Sequence, residues 1–139
     1  MGLAGAEIEL INSDDLALVR RGHLQEGDIR RMRVTALVDS GAYMLVINEN
    51  IRAQLDLGKV DEKEAVLADG TLRKLDIVGP LDVRFENRAT TVRAMVIPGE
   101  AEVLLGAIPM EDMDVVIDPR QQKLIVNPES PYLPKMSLK

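Results

Sequence analysis

The strongest candidate for chemistry is an aspartate that directly follows a run of apolar residues, in the segment Leu37-Val38-Asp39-Ser40-Gly41-Ala42. The apolar residues predict a buried strand, and a carboxylate at the end of such a strand is costly to desolvate unless it has hydrogen-bond partners. The Ser40 hydroxyl can donate a hydrogen bond locally, and Gly41 allows backbone N–H groups to approach the carboxylate. The segment is therefore suited to a rigid, partly buried Asp39 that acts as a general acid or base.

A structural role is the alternative for Asp39, because Asp, Ser and Gly are all common turn residues. Under that interpretation the chain is a small β-barrel in which Asp39 is a turn residue and takes no part in catalysis. The choice between the two interpretations depends on the rest of the sequence.

The composition restricts the chemistry that any site in this chain can perform. The chain has 139 residues, which is the size of one domain. It has no Cys and a single His, His23, so thiol nucleophiles, disulfides, Cys-based metal sites and sites with several His ligands from one chain are excluded. Carboxylates, hydroxyls, Lys and Arg remain, and we expect no cofactor and no metal.

Charge and hydropathy indicate which classes of partner the chain is not expected to bind. A formal net charge of −6 and an aromatic content of 2% argue against a nucleic-acid-binding surface, which usually combines a basic stripe with stacking residues. The N-terminus lacks a basic segment followed by a long apolar run, so we expect no signal peptide. No stretch approaches the ~20 apolar residues that span a bilayer. We expect a cytoplasmic protein that binds neither nucleic acid nor a membrane.

Most of the chain shows the alternation of apolar and polar residues that is typical of short strands. We predict an all-β fold, a small barrel or sandwich with one or two short helices. The predicted strands are 6–11, 16–20, 29–38, 43–47, 65–68, 72–78, 81–85, 90–97, 103–106, 115–117 and 123–126, with turns at 12–15 and 79–80. The predicted helices are 48–57, capped by Asn48 and ended by Gly58, and 109–113. Residues 1–127 form the predicted single domain, and 128–139 an extended tail that contains prolines.

One hairpin has an especially clear signal. Asp69-Gly70 lies between two strand-like runs, and this dipeptide favours a tight turn between antiparallel strands. We therefore predict a hairpin near residues 63–78, with Ala68, Asp69 and Gly70 at its tip.

Three features in this order resemble the retropepsin-like (retroviral-type, clan AA) aspartic protease family. The first is a pair of apolar residues followed by Asp-Ser-Gly and a small residue, at 37–42. The second is the hairpin, which has the position of the family's flap. The third is the apolar-apolar-Gly segment Leu104-Leu105-Gly106, which begins 65 residues after Asp39 and precedes a short predicted helix. The resemblance covers roughly residues 8–126.

The resemblance implies a small closed acid-protease β-barrel and assigns roles to the residues of these features. It implies that Asp39 is catalytic and that Ser40, Gly41 and Ala42 complete the active-site loop. It implies further that Ala68, Asp69 and Gly70 belong to a flap over the substrate, and that Leu104, Leu105 and Gly106 support the active-site loop. The chain departs from the family in having Ser40 where Thr is more frequent, a bulky Tyr43 soon after the motif, and no aromatic residue in the flap.

Proteases of this family hydrolyse peptide bonds with two carboxylates that share one proton. The chain has no second Asp-Ser/Thr-Gly segment, so the resemblance implies a homodimer in which the Asp39 residues of two protomers face each other across a two-fold axis. The expected substrate is an extended peptide or protein, cleaved at mildly acidic pH. Because of Tyr43 and the plain flap, a dimeric peptide-binding module with little or no catalytic activity is the alternative.

Overall fold

The structure is a computed structural model, and it describes residues 4–138. The strands of the described residues are β1 (Ala4–Asn12), β2 (Arg31–Val38), β3 (Leu45–Asn48), β4 (Lys59–Val66), β5 (Leu72–Phe85), β6 (Arg88–Ile97), β7 (Val103–Leu105), β8 (Val115–Asp118) and β9 (Lys123–Val126). The helices are α1 (Ser13–Arg20), α2 (Glu49–Leu55) and α3 (Ala107–Met113), with a 3₁₀ turn at Glu26–Asp28. Strands therefore dominate, as the alternating apolar pattern predicts.

Six of the strands close into a barrel. They are hydrogen-bonded in the order β1-β2-β7-β3-β6-β5, and β5 pairs back onto β1. Strand β7 lies between β2 and β3, parallel to β2 and antiparallel to β3. The first part of β5 extends beyond the barrel and pairs with β4, the outermost strand of the sheet. The predicted all-β closed barrel and the predicted hairpin near 63–78 are both confirmed.

The interior of the barrel is aliphatic. Along β1, Ile8 and Leu10 are fully buried, whereas Glu7 is exposed and Glu9 half-buried. Other fully buried side chains of the core are Val38, Leu45, Ile47, Leu81, Leu105 and Met113. Burying one such side chain contributes roughly 1.5–3 kcal/mol relative to leaving it exposed. The core therefore fixes the end of β2, the start of β3 and the end of β7, which are the points from which the candidate site is built.

The predicted turn at 12–15 and the predicted strand at 16–20 are wrong, because these residues belong to the start and the body of α1. The Asn12 side chain accepts a hydrogen bond from the backbone N–H of Asp15 at 3.0 Å, so Asn12 is the N-cap. Asp14 and Asp15 then occupy the first turn, where carboxylates interact favourably with the helix dipole. This extra helix is the reason that the described residues hold three short α-helices.

Helix α2 begins where the sequence predicts and ends earlier. Asn48 Oδ1 accepts a hydrogen bond from the Ile51 N–H at 2.9 Å, which confirms Asn48 as the cap. The helix ends at Leu55, and Asp56, in place of the predicted Gly58, follows its last turn in the left-handed conformation (φ 51°, ψ 51°). Aspartate adopts this conformation more readily than most residues with a side chain, so the helix can end without a glycine.

Gly79 and Pro80 do not form the predicted turn, since β5 continues through them. The register between β5 and β6 shifts between Val78 and Leu81, so the two residues lie in a β-bulge. Gly79 has a φ of 143°, and an added Cβ would lie 3.3 Å from backbone atoms of β6. A glycine is therefore required at this point, and the bulge separates the hairpin part of β5 from its barrel part.

Asp15 is 1% exposed and is neutralised by Arg30. Arg30 Nε and Nη2 donate to the two oxygens of the Asp15 carboxylate at 3.0 and 2.9 Å, and the Arg30 backbone N–H donates to it at 2.9 Å. Arg30 Nη1 also donates to Asp56 at 2.7 Å. The side-chain hydrogen bonds from Arg30 lower the pKa of Asp15 below its ordinary value. The cluster joins α1, the segment before β2 and the end of α2.

Replacing Asp15 with Asn should destabilise the fold by about 2 kcal/mol at neutral pH, because Arg30 would lose its buried ion-pair partner. We place the value below the usual cost of breaking a buried pair because the Arg30 side chain is 45% exposed. The pKa of Asp15 is lowered in the folded state, so its stabilising contribution is fully present above the ordinary value of 3.8. That contribution is lost as the pH falls through the lowered folded value.

Urea unfolding of wild type and Asp15→Asn at about pH 7 and about pH 3 measures both effects. The difference between the two proteins should be smaller at the lower pH. Asp14→Asn is the matched control, because Asp14 lies in the same helical turn and is exposed, and its free energy of unfolding should change by less than about 0.5 kcal/mol. Equal stability of wild type and Asp15→Asn at neutral pH would contradict the stabilising role of the pair.

The segment after β9 is attached to the barrel by side-chain hydrogen bonds. Asp114, at the end of α3, accepts hydrogen bonds from the Ser130 hydroxyl, from Asn127 Nδ2 at 3.0 Å and from the Lys135 N–H at 2.9 Å. These bonds lower the pKa of Asp114 to about 2, with the Ser130 hydroxyl as the largest cause. The buried Arg88 donates to the carbonyl oxygen of Ser130. The segment is therefore held against α3 and the start of β6.

Candidate active site

The loop after β2 carries Asp39 at the end of a buried strand. Val38 is buried, Asp39 is half-buried, and Ser40 and Gly41 are exposed. Asp39 Oδ1 accepts a hydrogen bond from the Gly41 N–H at 2.9 Å, and the Ala42 N–H donates to the backbone oxygen of Asp39 at 3.0 Å. Among the described residues no hydrogen bond engages Asp39 Oδ2. The carboxylate is therefore oriented through one oxygen and can interact with another molecule through the second.

Gly41, and not Ser40, sets the orientation of the Asp39 carboxylate. In the part of the chain that the structure describes, the Ser40 hydroxyl makes no hydrogen bond, so the local bond expected from the sequence is not seen. An added Cβ on Gly41 would lie 3.2 Å from Asp39 Oδ1. The glycine therefore lets its own N–H approach the carboxylate closely, as the residue type predicts.

The Leu104-Leu105-Gly106 segment lies directly against this loop, although it is distant in sequence. Strand β7 pairs in parallel with β2, with Leu105 opposite Val38. The Asp39 N–H donates to the Leu105 carbonyl at 3.0 Å. Beyond Gly106, the Ala107 N–H donates to the Ala42 carbonyl at 2.9 Å and the Ile108 N–H donates to the Tyr43 carbonyl at 3.2 Å. The loop is thus held along its length by the end of β7 and the start of α3.

Gly106 is required by the close approach of these two segments. It is buried, and an added Cβ would lie 2.3 Å from the Met44 carbonyl oxygen and 2.8 Å from the Ala42 carbonyl oxygen. Both distances are far below van der Waals contact, and both atoms belong to the backbone. A glycine is therefore required at the end of the apolar-apolar-Gly segment because a side chain has no space there, whatever the backbone conformation of Gly106.

The hairpin tip is an ordered turn formed by exposed residues. Ala68, Asp69 and Gly70 follow the last residue pair of β4 and β5, which is Val66 with Leu72. Asp69 Oδ1 accepts hydrogen bonds from the Thr71 hydroxyl at 2.6 Å and the Thr71 N–H at 3.0 Å, and these bonds lower the pKa of Asp69. Gly70 has a φ of 85°, and its N–H donates to the Leu67 carbonyl at 2.9 Å. The predicted hairpin is therefore confirmed, although Ala68 and Asp69 form the centre of its turn and Gly70 follows them with the positive φ.

The part of the hairpin nearer its base reaches the Asp39 loop. Lys63 of β4 places its Nζ 5.8 Å from the centroid of the Tyr43 ring, within the range of a cation–π contact. Tyr43 follows the Asp39 loop and is 68% exposed. The hairpin and the loop are therefore neighbours within the chain, while the tip residues lie at the far end of the hairpin.

Sequence reasoning missed a groove beside the loop, with a volume of about 330 Å³. Its lining comes from several elements, and includes Tyr43 after the loop, Lys63 of β4, Pro80 of β5, Arg93 of β6 and Ile108 of α3. Because these residues are scattered along the chain, no local pattern contains them. The Gly79-Pro80 dipeptide is the one signal that could have indicated the groove, since its bulge lies on the groove wall.

The described residues 4–138 lack two further features that could indicate a function. They contain no group of three or more His, Cys, Asp or Glu side chains positioned to hold a metal ion. Among the same residues, every helix is too short or too polar to cross a bilayer.

Comparison with known proteins assigns no function to the chain, so a functional assignment has to start from its geometry. No protein-family model matches the chain, and no curated protein matches it. The closed barrel, the oriented Asp39 and the segment that supports its loop are the observations from which a function has to be inferred.

Proposed function

We propose that the chain is one protomer of a homodimeric aspartic endopeptidase, in which Asp39 of each protomer supplies one of two catalytic carboxylates. The observation that carries this proposal is the contact between the Asp39 loop and the segment from Leu105 to Ile108, made through three backbone hydrogen bonds. The three bonds hold Asp39 in a fixed position relative to the barrel, as a catalytic carboxylate requires. The retropepsin-like family has the same two sequence features.

The dimer is proposed because one protomer supplies a single suitable carboxylate. A shared-proton pair needs two carboxylates within hydrogen-bond reach of each other. Asp39 is half-buried in the protomer, and its neighbours Ser40 and Gly41 are exposed, so the loop is accessible to a second copy. Large apolar side chains are also exposed near the C-terminus, a feature that favours a protein–protein contact. They are Val116, Ile117, Tyr132, Leu133, Met136 and Leu138.

In the proposed reaction one Asp39 is ionised and the other is protonated, because two adjacent carboxylates do not both ionise readily. The ionised carboxylate takes a proton from a water molecule, whose oxygen bonds to the carbonyl carbon of the peptide. The protonated carboxyl donates its proton to the carbonyl oxygen, which gives a tetrahedral diol. The two groups have now exchanged protonation states. The newly ionised carboxylate takes a proton from the diol while the newly protonated carboxyl protonates the amide nitrogen, and the C–N bond breaks to release an acid and an amine.

The surrounding residues have supporting roles in this proposal. The Gly41 N–H orients the Asp39 carboxylate, so that less reorganisation is needed at the moment of proton transfer. The hairpins of the two protomers would act as flaps over an extended peptide that binds as an added strand. Ala68, Asp69 and Gly70 would then lie at the flap tip, and Leu104, Leu105 and Gly106 would keep the loop in place.

Mixing of subunits tests whether the site is shared between two chains. Wild-type and Asp39→Asn chains are combined in equal amounts and allowed to exchange at constant total concentration. With random pairing, about one quarter of the dimers keep both Asp39 residues, so cleavage of a quenched fluorescent peptide library at about pH 5 should fall to about one quarter of the all-wild-type rate. Separate sites in each chain would instead leave about one half.

Two other outcomes would replace the proposal. A chain that sediments as a monomer at high concentration and still cleaves peptides would exclude the shared site. Peptide binding with no cleavage by wild type between about pH 3 and pH 8 would favour the dimeric peptide-binding module, for which the exposed Tyr43 beside the loop is the supporting observation.

A further inference from the structure

The groove beside the active-site loop is positively charged in a chain that is acidic as a whole. The formal net charge of the chain is −6, yet the charged residues that line the groove are Lys63 and Arg93. Arg93 pairs with Asp61 at 3.5 Å. Among residues 4–138 no carboxylate lies within ion-pair distance of Lys63, whose ammonium group lies near the Tyr43 ring instead. Among the described residues, Lys63 is therefore a cation of the groove without a carboxylate partner.

Strand geometry explains why cations line this groove. Side chains alternate along a strand, so Lys63 faces the side opposite to Glu62 and Glu64, which are both exposed. In β6 the consecutive residues Thr91, Val92 and Arg93 all line the groove. Thr91 and Arg93 are exposed and Val92 is half-buried, as alternation along the strand requires, and the bulge in β5 lies opposite Arg93. Glu62 and Glu64 are therefore directed away from the face of Lys63, whereas Asp61, on the same face as Lys63, pairs with Arg93.

The groove is continuous with the active-site loop and has an apolar wall. Tyr43 directly follows the loop, and its backbone carbonyl accepts a hydrogen bond from the Ile108 N–H at 3.2 Å. Both residues line the groove. They are 68% and 40% exposed, respectively. A small inorganic anion would leave this apolar wall in water. A polypeptide with an acidic side chain would cover the wall and also meet the cations.

We infer that this groove binds an Asp or Glu side chain of an extended peptide substrate, at a position some residues away from the bond that is cut. Lys63 is the main specificity-determining residue, and Arg93 contributes less because Asp61 already pairs with it. The inference rests on the proposed function, since it takes the peptide to run past Asp39 along the loop. It adds the substrate class, which is a peptide that carries an acidic side chain next to an apolar segment.

The test is binding of matched peptides to the 139-residue Asp39→Asn protein, which should not cut them. The probes are fluorescent peptides of about ten residues, built from Ala, Val, Leu and Ser, with a single Glu placed at each position in turn and Gln at the same position as the reference. Anisotropy titrations should show about fivefold tighter binding for Glu over Gln at one or two positions only. Lys63→Gln, made in the same Asp39→Asn protein, should remove that preference.

Lys123→Gln is the matched control, because Lys123 is exposed on β9 and does not line the groove. It should leave the preference for Glu in place. Three results would each overturn the inference. They are equal effects of Lys63→Gln and Lys123→Gln, a preference for Glu at every position of the peptide, and no preference for Glu at any position. Arg93→Gln provides a second variant on another strand, and it should weaken the preference less than Lys63→Gln does.

Failure of the inference can be told apart from failure of the proposed function. Cleavage of the same peptides by wild type is measured in parallel. Cleavage by wild type without a Glu preference would leave the endopeptidase intact and remove only the acidic subsite. A Glu preference that depends on Lys63, with no cleavage by wild type, would support the groove as a binding site and remove the endopeptidase.

Discussion

Asp39→Asn should abolish peptide cleavage, lowering kcat/KM by about 10³-fold or more, while the protein stays folded. The asparagine keeps a side-chain oxygen that can accept the hydrogen bond from the Gly41 N–H, so the loop retains its local geometry. The amide cannot exchange protons as a carboxyl does. A dimer of two variant chains can therefore neither activate a water nor protonate the carbonyl oxygen, and we expect the loss mainly in kcat.

Cleavage is measured with quenched fluorescent peptides between about pH 3 and pH 8, a range that spans ordinary carboxyl pKa values. Circular dichroism and sedimentation establish that the variant is folded and associates as wild type does. Asp28→Asn is the matched control, because Asp28 is exposed in the 3₁₀ turn before β2, and it should keep the cleavage rate within about twofold. A purified Asp39→Asn protein that cleaves as fast as wild type would exclude Asp39 as the catalytic residue.

The features that sequence reasoning predicts well are those with a short-range cause. The apolar run at Leu37-Val38 predicts the end of β2 because burial is a property of that segment itself. Asp69-Gly70 predicts the hairpin turn because Gly70 supplies the positive φ that the turn needs. The contact of Gly106 with the Asp39 loop joins residues far apart in sequence, and only the family resemblance pointed to it.

The features that sequence reasoning misses depend on competition between strand and helix preferences, or on contacts between residues far apart in sequence. At 16–20 the apolar residues suit a strand, but the Asn12 cap and the Asp15–Arg30 pair favour a helix, and Arg30 is outside any local window. The charged groove depends on a bulge in β5 and on side chains from separate elements. Likewise, the attachment of the C-terminal segment depends on Asp114, which no periodicity connects to Ser130.

Gly106→Ala should destabilise the protein by about 3 kcal/mol or more, because the new methyl group has no space. Its Cβ would lie 2.3 Å from the Met44 carbonyl oxygen, 2.8 Å from the Ala42 carbonyl oxygen and 2.9 Å from the Met44 carbonyl carbon. All three are backbone atoms, so no change of side-chain rotamer relieves the clash. The loop has to move away from β7, and the hydrogen bonds that Ala107 and Ile108 donate to it would be broken.

The same displacement should remove activity, because the Asp39 loop loses its support from the Gly106 side. Urea unfolding measures the destabilisation, and cleavage by the fraction that remains folded measures the effect on the site. Gly58→Ala is the matched control: an added Cβ there meets nothing within 4 Å, so alanine should be neutral or stabilising by up to about 1 kcal/mol. If Gly106→Ala unfolds at the wild-type urea concentration, the loop does not lie against β7 as closely as the structure shows. If it is strongly destabilised but its folded fraction cleaves at the full rate, the contact serves the barrel and not the position of Asp39.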